Sequence, residues 1–202
     1  YLKAKGVQMN FEKAAYSINK GLWGTSVGGK ETLHSKGLLP ESAWPTQVTK
    51  TDEEEIKIHF EKGAITWVNN QHFTHPSHAI QYIQSLAAPY GIGRDIHVGD
   101  TIIGIKGRVG FEAAAPMVII KAHHALEKHV LTKWQLNWKD QLAQFYGNWL
   151  HEGQMMDPVM RNIEAFLENT QEHVTGSVYV QLLPYRFQII GIESEFDLMS
   201  SK

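Results

Sequence analysis

The sequence predicts a single α+β domain: an antiparallel sheet with hairpins, plus several long helices. Three observations predict it. Alternating apolar and polar residues occur in pairs of segments joined by short turns, at 56–68 and 177–192. Apolar residues at three-to-four spacing fill much of 76–88 and 116–172. The helical stretches are grouped between the strand pairs instead of alternating with single strands, which argues against a parallel sheet.

Element by element, residues 1–14 read as a connecting segment and 15–202 as the domain proper. Residues 17–53, rich in Gly, Ser, Thr and Pro, read as loop and end in the acidic run Asp52-Glu53-Glu54-Glu55. Ile56 to Phe60 alternates, Lys62-Gly63 turns the chain, and Ala64 to Val68 returns. Pro76 to Ala88 carries Ile80, Ile83 and Leu86 at helical spacing, and Pro89-Tyr90-Gly91 stops it. Thr101–Lys106 reads as a short apolar strand and Gly107–Ala115 as a loop of small residues. Pro116 opens a long helix striped by Val118, Ile119, Ala122, Leu126 and Val130. Leu131 to Leu150 continues the helical period, with Thr132 as the point where it either breaks or runs on. Gly153 ends that element, and Asp157-Pro158 starts a helix through about Glu172 with Ile163, Phe166 and Leu167 inward. Strands Ser177–Leu183 and Arg186–Ile192 flank a Pro184-Tyr185 turn.

The bulk numbers narrow the classes of function. With 202 residues, 43% hydrophobic and 20% charged, the chain supports one substantial core. A net charge of −2 offers no general basic field for nucleic acid or an anionic membrane. The absence of cysteine removes disulfides, thiolate nucleophiles and cysteine-type zinc sites, and it suits the cytoplasm. No apolar run approaches the ~20 residues of a membrane span. The first residue is not Met, so the reading expects a longer polypeptide.

No catalytic motif is complete on its own residues. Ser26-Val27-Gly28-Gly29-Lys30 lacks the strand and spacing of a phosphate loop. His72, His75 and His78 are interrupted by Pro76, and His123 and His124 point about 100° apart on a helix, so satisfied or surface histidines are expected rather than a metal site. Trp134, Trp138 and Trp149 leave two readings open, core packing or a subunit interface. From these residues alone the chain is a soluble α+β domain with a capacity to oligomerise.

A set of segments in fixed order carries a resemblance. It consists of Tyr16-Ser17 with Gly24-Thr25-Ser26, Gly91-Ile92-Gly93-Arg94, Gly104-Ile105-Lys106-Gly107-Arg108, Phe111 to Pro116, Ala122-His123, Val174 to Val178 and Gly191 to Ser194. Together they span nearly the whole chain, which resembles the C-terminal synthetase part of argininosuccinate synthases. The resemblance implies an enzyme that joins citrulline to aspartate while ATP is cleaved to AMP and pyrophosphate. It also implies ATP, with Mg2+, on an N-terminal domain outside this chain, and a cytoplasmic homotetramer as the assembled form. The isolated piece is then expected to be inactive.

Carried over by position, Ser17 and Ser26 match the family's two citrulline-contacting serines, whose hydroxyls both donate and accept. Two further positions depart from the family's pattern: Gly99 stands where a Glu is expected and Phe111 where a Tyr is expected. A register shifted by one residue would make Asp100 the carboxylate instead. If the charge is lost, the resemblance leads to a pocket that accepts an N-acyl citrulline, with Gly99 making room and Phe111 forming an apolar wall. Lys106, Arg108 and Glu112 are charged neighbours with no catalytic role assigned. The competing reading is a non-catalytic oligomerisation or interaction module of the same fold.

Overall fold

In the computed structural model, residues 3–6, 15–101 and 103–199 are described; of the expected connecting segment, residues 1, 2 and 7–14 lie outside that set. The amino-terminal part forms β1 (Tyr16–Gly21), β2 (Gly24–Gly29), β3 (Glu54–Glu61), β4 (Ala64–Val68) and β5 (Gln71–His72). Helix α1 (Pro76–Ala87), β6 (Arg94–Asp100) and β7 (Lys106–Glu112) follow. Then come α2 (Ala114–Val130), α3 (Lys133–His151), α4 (Pro158–Gln171), β8 (Gly176–Leu183) and β9 (Arg186–Glu193). The α+β class is as the sequence predicts, with two antiparallel sheets where one was expected. Their strand orders are β1-β2-β7-β6 and β5-β4-β3-β8-β9.

The five-stranded sheet holds the main core. Ile56, Ile58 and Phe60 alternate along β3 and pair with β8, whose Val178, Val180 and Leu182 share their face. Ala79, Ile83 and Ala87 of α1 and Val118, Ala122 and Leu126 of α2 close over that face. Each fully buried Ile, Val, Leu or Phe side chain here contributes roughly 1.5–3 kcal/mol, and each alanine methyl less. The four-stranded sheet has a smaller core, in which Val27 packs against Leu39, Ala43 and Trp44, with Tyr16 and Ile96 at its margin.

Three local expectations are corrected. Residues 16–29 are a hairpin, not loop: glycines and exposed polar residues hide an alternation in which only Val27 is fully buried. Gly107–Ala115 is mostly strand β7, and β6 precedes it. Of the expected strand at Thr101–Lys106, Lys106 belongs to β7 and residue 102 lies outside the described residues; the rest is part of the connection between β6 and β7, with bonds from the Thr101 N–H to the Ile105 carbonyl (3.1 Å) and from the Gly104 N–H to the Thr101 carbonyl (2.9 Å). Ile103 and Ile105 there are exposed.

Thr132 does break the long helical run. Its hydroxyl accepts from the Gln135 N–H at 3.4 Å, while its own N–H donates to Gln135 Oε1 at 2.9 Å, a reciprocal cap that starts α3. Asp157 caps α4 by accepting from the Val159 N–H at 2.9 Å. Helix α3 buries no residue, and Trp134 and Trp138 are 66% and 55% exposed, so core packing does not account for these two tryptophans.

Candidate functional site

The four-stranded sheet brings the sequence-selected residues onto one surface. In β1–β2, Ser17 pairs with Gly28 and Asn19 with Ser26. Ser26 pairs in turn with Phe111 of β7, and Phe111 with Asp95 of β6. Directly opposed residues of antiparallel strands face the same way, and so do residues two apart along a strand. Ser17, Ser26, Phe111 and Gly99 therefore share one face, together with Asn19, His97 and Asp95. The opposite face carries Val27 and Ile96 onto Leu39 and Trp44. The small core fixes which way the serines look: a one-residue slip would bury them and expose Val27.

Ser17 is exposed and Ser26 half-buried. Asn19 Nδ2 donates to Ser26 Oγ at 3.4 Å. The Phe111 ring lies over Gly24, where an added Cβ would stand 2.5 Å from two ring carbons, and it meets His97 edge-on with centroids 5.6 Å apart. Gly99 pairs with Gly107, and a Cβ at Gly99 would meet nothing within 4 Å. Asp100 follows on the opposite face and forms an ion pair with Lys106, so the one-residue shift does not bring its carboxylate to the serines.

The other charged neighbours are also turned away. Glu112 is buried on the core side, 3.4 Å from Arg94 Nε, and accepts from the Thr46 N–H at 3.4 Å. Arg94 also reaches Glu41 at 2.8 Å, and Arg108 donates to the carbonyls of His34 and Gly37. These contacts tie the 30s and 40s loops to the sheet.

Beside Phe111 a cleft of about 500 Å³ opens where β6 and β7 meet the start of α2 and the β8–β9 turn. Trp23, Asp95, His97, Phe111, Met117 and Phe187 are among its walls. Of the four predicted site residues only Phe111 lines it; Ser17, Ser26 and Gly99 extend along the face outside. Sequence reasoning missed Asn19, Asp95 and His97. Their alternation with the serines was available, but only strand register shows that they share a face.

A second cleft, about 470 Å³, lies on the far side of Trp23. At its base Glu127, with a side chain 2% exposed, is ion-paired with Lys139 and accepts from Gln171 Nε2 at 3.0 Å. His124 and His123 stand 3.5 and 3.7 Å from the same carboxylate. Burial lowers the His123 pKa from the ordinary imidazole value, with Glu127 opposing the shift. Among the described residues no three His, Cys, Asp or Glu side chains converge as metal ligands. Gly28 and Gly29 sit within β2, followed by a four-residue 3-10 helix, Lys30–Leu33. That geometry does not fit a triphosphate cradle, which needs a loop opening a full helix. No described helix is long and apolar enough to cross a membrane.

Comparison with known proteins bears on the same residues. Residues 16–202 match the family model described as arginosuccinate synthase C-terminal domain. The argininosuccinate synthase of Methanocaldococcus jannaschii is 34% identical over 205 residues, covering 100% of this chain and 52% of the relative. Those of Dictyoglomus thermophilum and Xylella fastidiosa are 35% and 32% identical, covering 92% and 99% of this chain and 47% and 50% of their own lengths. The chain thus spans about half the length of these curated relatives. With the matched region running from the first serine-bearing strand through both sheets, the chain belongs to the argininosuccinate synthase C-terminal domain family.

Proposed function

We propose that this chain is the citrulline-binding and subunit-assembling half of a cytoplasmic enzyme that ligates citrulline to aspartate. ATP activates the ureido oxygen of citrulline as an adenylate, and the aspartate amine then displaces AMP. The observation that carries the reading is the shared, solvent-open face of Ser17 and Ser26, backed by a packed opposite face. Hydroxyls on paired strands hold an amino-acid head group without a flexible loop, and the chemistry rests on positioning rather than on an acid–base side chain. ATP and its Mg2+ belong to an N-terminal half of the complete polypeptide. The exposed tryptophan face of α3 serves subunit contact, in a homotetramer.

A second reading concerns the substrate's α-amine. In that reading, open space at Gly99 and the cleft beside Phe111 would take the acyl group of an N-acyl citrulline. Against both stands a non-catalytic module of the same fold. Assaying ATP-dependent argininosuccinate formation by the complete polypeptide and by this chain alone separates them. Turnover is expected from the former only. No turnover by the complete polypeptide would favour the module, and turnover by the fragment would refute the division of labour.

A further inference from the structure

We infer that Asp95 is the anion that receives the substrate's α-ammonium group, so that the site selects free citrulline. The inference rests on the reading of the serine face given above and assigns its charge recognition.

The argument is an accounting of one face. Across the four strands that face presents Ser17, Asn19, Ser26, Phe111, His97 and Asp95, with Val109 and glycines between them. Asp95 is the single carboxylate. Gly99 has no side chain, Asp100 points the other way into its ion pair with Lys106, and Glu112 is committed to Arg94 and Thr46 behind the sheet. Asp95 is exposed, and among the described residues no cation pairs with it. Its Oδ1 accepts from the Ile96 N–H at 2.7 Å, which fixes the carboxylate and leaves Oδ2 available.

Position agrees with charge. Asp95 lies on the same rung as Ser26, with Phe111 between them. Two strand spacings make about 10 Å between the backbones of Ser26 and Asp95. The Phe111 side chain rises between them with its ring leaning over Gly24, so a head group that bridges Ser26 and Asp95 lies against that ring, with a hydrogen bond of about 2.9 Å at each end. Gly99, four residues and about 13 Å further along β6, has no side chain to offer an ammonium. An ammonium in this gap also meets the Phe111 ring, whose π face attracts cations and whose lack of a hydroxyl is then no defect.

The test uses the complete polypeptide and steady-state kinetics. Asp95→Asn keeps an oxygen for the Ile96 N–H and removes only the charge. It is expected to raise KM for citrulline by about 10- to 100-fold, the range for losing a charged hydrogen-bond partner. KM for ATP and aspartate should not move, and kcat should change little. The wild type should discriminate against Nα-acetylcitrulline, and Asp95→Asn should lose most of that discrimination. A citrulline KM unchanged in Asp95→Asn, or a wild-type preference for the acetylated substrate, overturns the assignment. Ser26→Ala separates the two levels. If it raises KM while Asp95→Asn does not, only the Asp95 role fails; if neither does, the serine face itself is misassigned.

Discussion

Replacing Lys139 with methionine would leave one of the most enclosed carboxylates in the molecule without its cation. Glu127 is 2% exposed and Lys139 13%, and with Lys139 gone Glu127 keeps the Gln171 amide at 3.0 Å and the His124 and His123 imidazoles at 3.5 and 3.7 Å, but no permanent cation. Methionine preserves most of the lysine stem, so the loss is charge rather than packing. Breaking a buried pair on one side costs about 3–5 kcal/mol, a large share of the ~5–15 kcal/mol typical of a domain. The loss should be concentrated in α3, which has no fully buried residue and whose contacts with the rest of the domain include this pair, Leu136 and the 2.7 Å bond from Tyr146 to Glu164 of α4. Urea unfolding followed by circular dichroism gives the magnitude, and amide exchange gives its location. The double variant Glu127→Leu/Lys139→Met should regain most of the stability, because apolar pairs often replace buried ion pairs without loss. A single-variant cost below about 1 kcal/mol, or a double variant as unstable as the single, would refute the reasoning.

Three further outcomes are expected. His123 has its folded pKa lowered by burial from 6.5, so the unfolded chain binds the extra proton first. Stability should be full above about pH 6.5 and fall on acidification through the window below it, by at most about 1.4 kcal/mol per pH unit. His123→Gln should shallow that slope, and an unchanged slope contradicts the assignment; His59, also lowered by burial, supplies a remainder. Gly93 has φ +76, and a Cβ there would stand 2.5 Å from the Ala113 carbonyl oxygen, so Gly93→Ala should cost at least about 1 kcal/mol in thermal or urea unfolding. If α3 is a subunit contact, Trp134→Glu with Trp138→Glu should reduce the assembly size in light scattering while leaving the circular dichroism spectrum intact; unchanged assembly would exclude that face.

The parts legible in the sequence are those where a strong core leaves its period in the chain. The β3–β4 hairpin, α1, α4 and the β8–β9 pair lie close to where alternation, helical spacing and caps predict them. The β1–β2 hairpin and β6–β7 escaped because they carry glycines at 21, 24, 28, 29, 99, 107 and 110 and one buried large apolar residue, Val27. The apolar run around Ile103 and Ile105 misled for the converse reason: apolar residues exposed in a turn imitate a strand. Ser17 and Ser26 were identified through resemblance, but their relation to Asn19 and Asp95 is a product of register. Asn19 meets Ser26 across a local hairpin, whereas Asp95 is brought to the serines only by the β2–β7 pairing of Ser26 with Phe111, distant in the sequence and without a local signal.

The account stands on Ser17 and Ser26 gripping the citrulline head group, and saturation kinetics of Ser26→Ala in the complete polypeptide, with citrulline varied at fixed ATP and aspartate, test this most directly. The predicted result is a citrulline KM raised by about tenfold, as for one lost hydrogen bond to a charged group, with KM for ATP unmoved. A citrulline KM equal to that of the unaltered enzyme would contradict it.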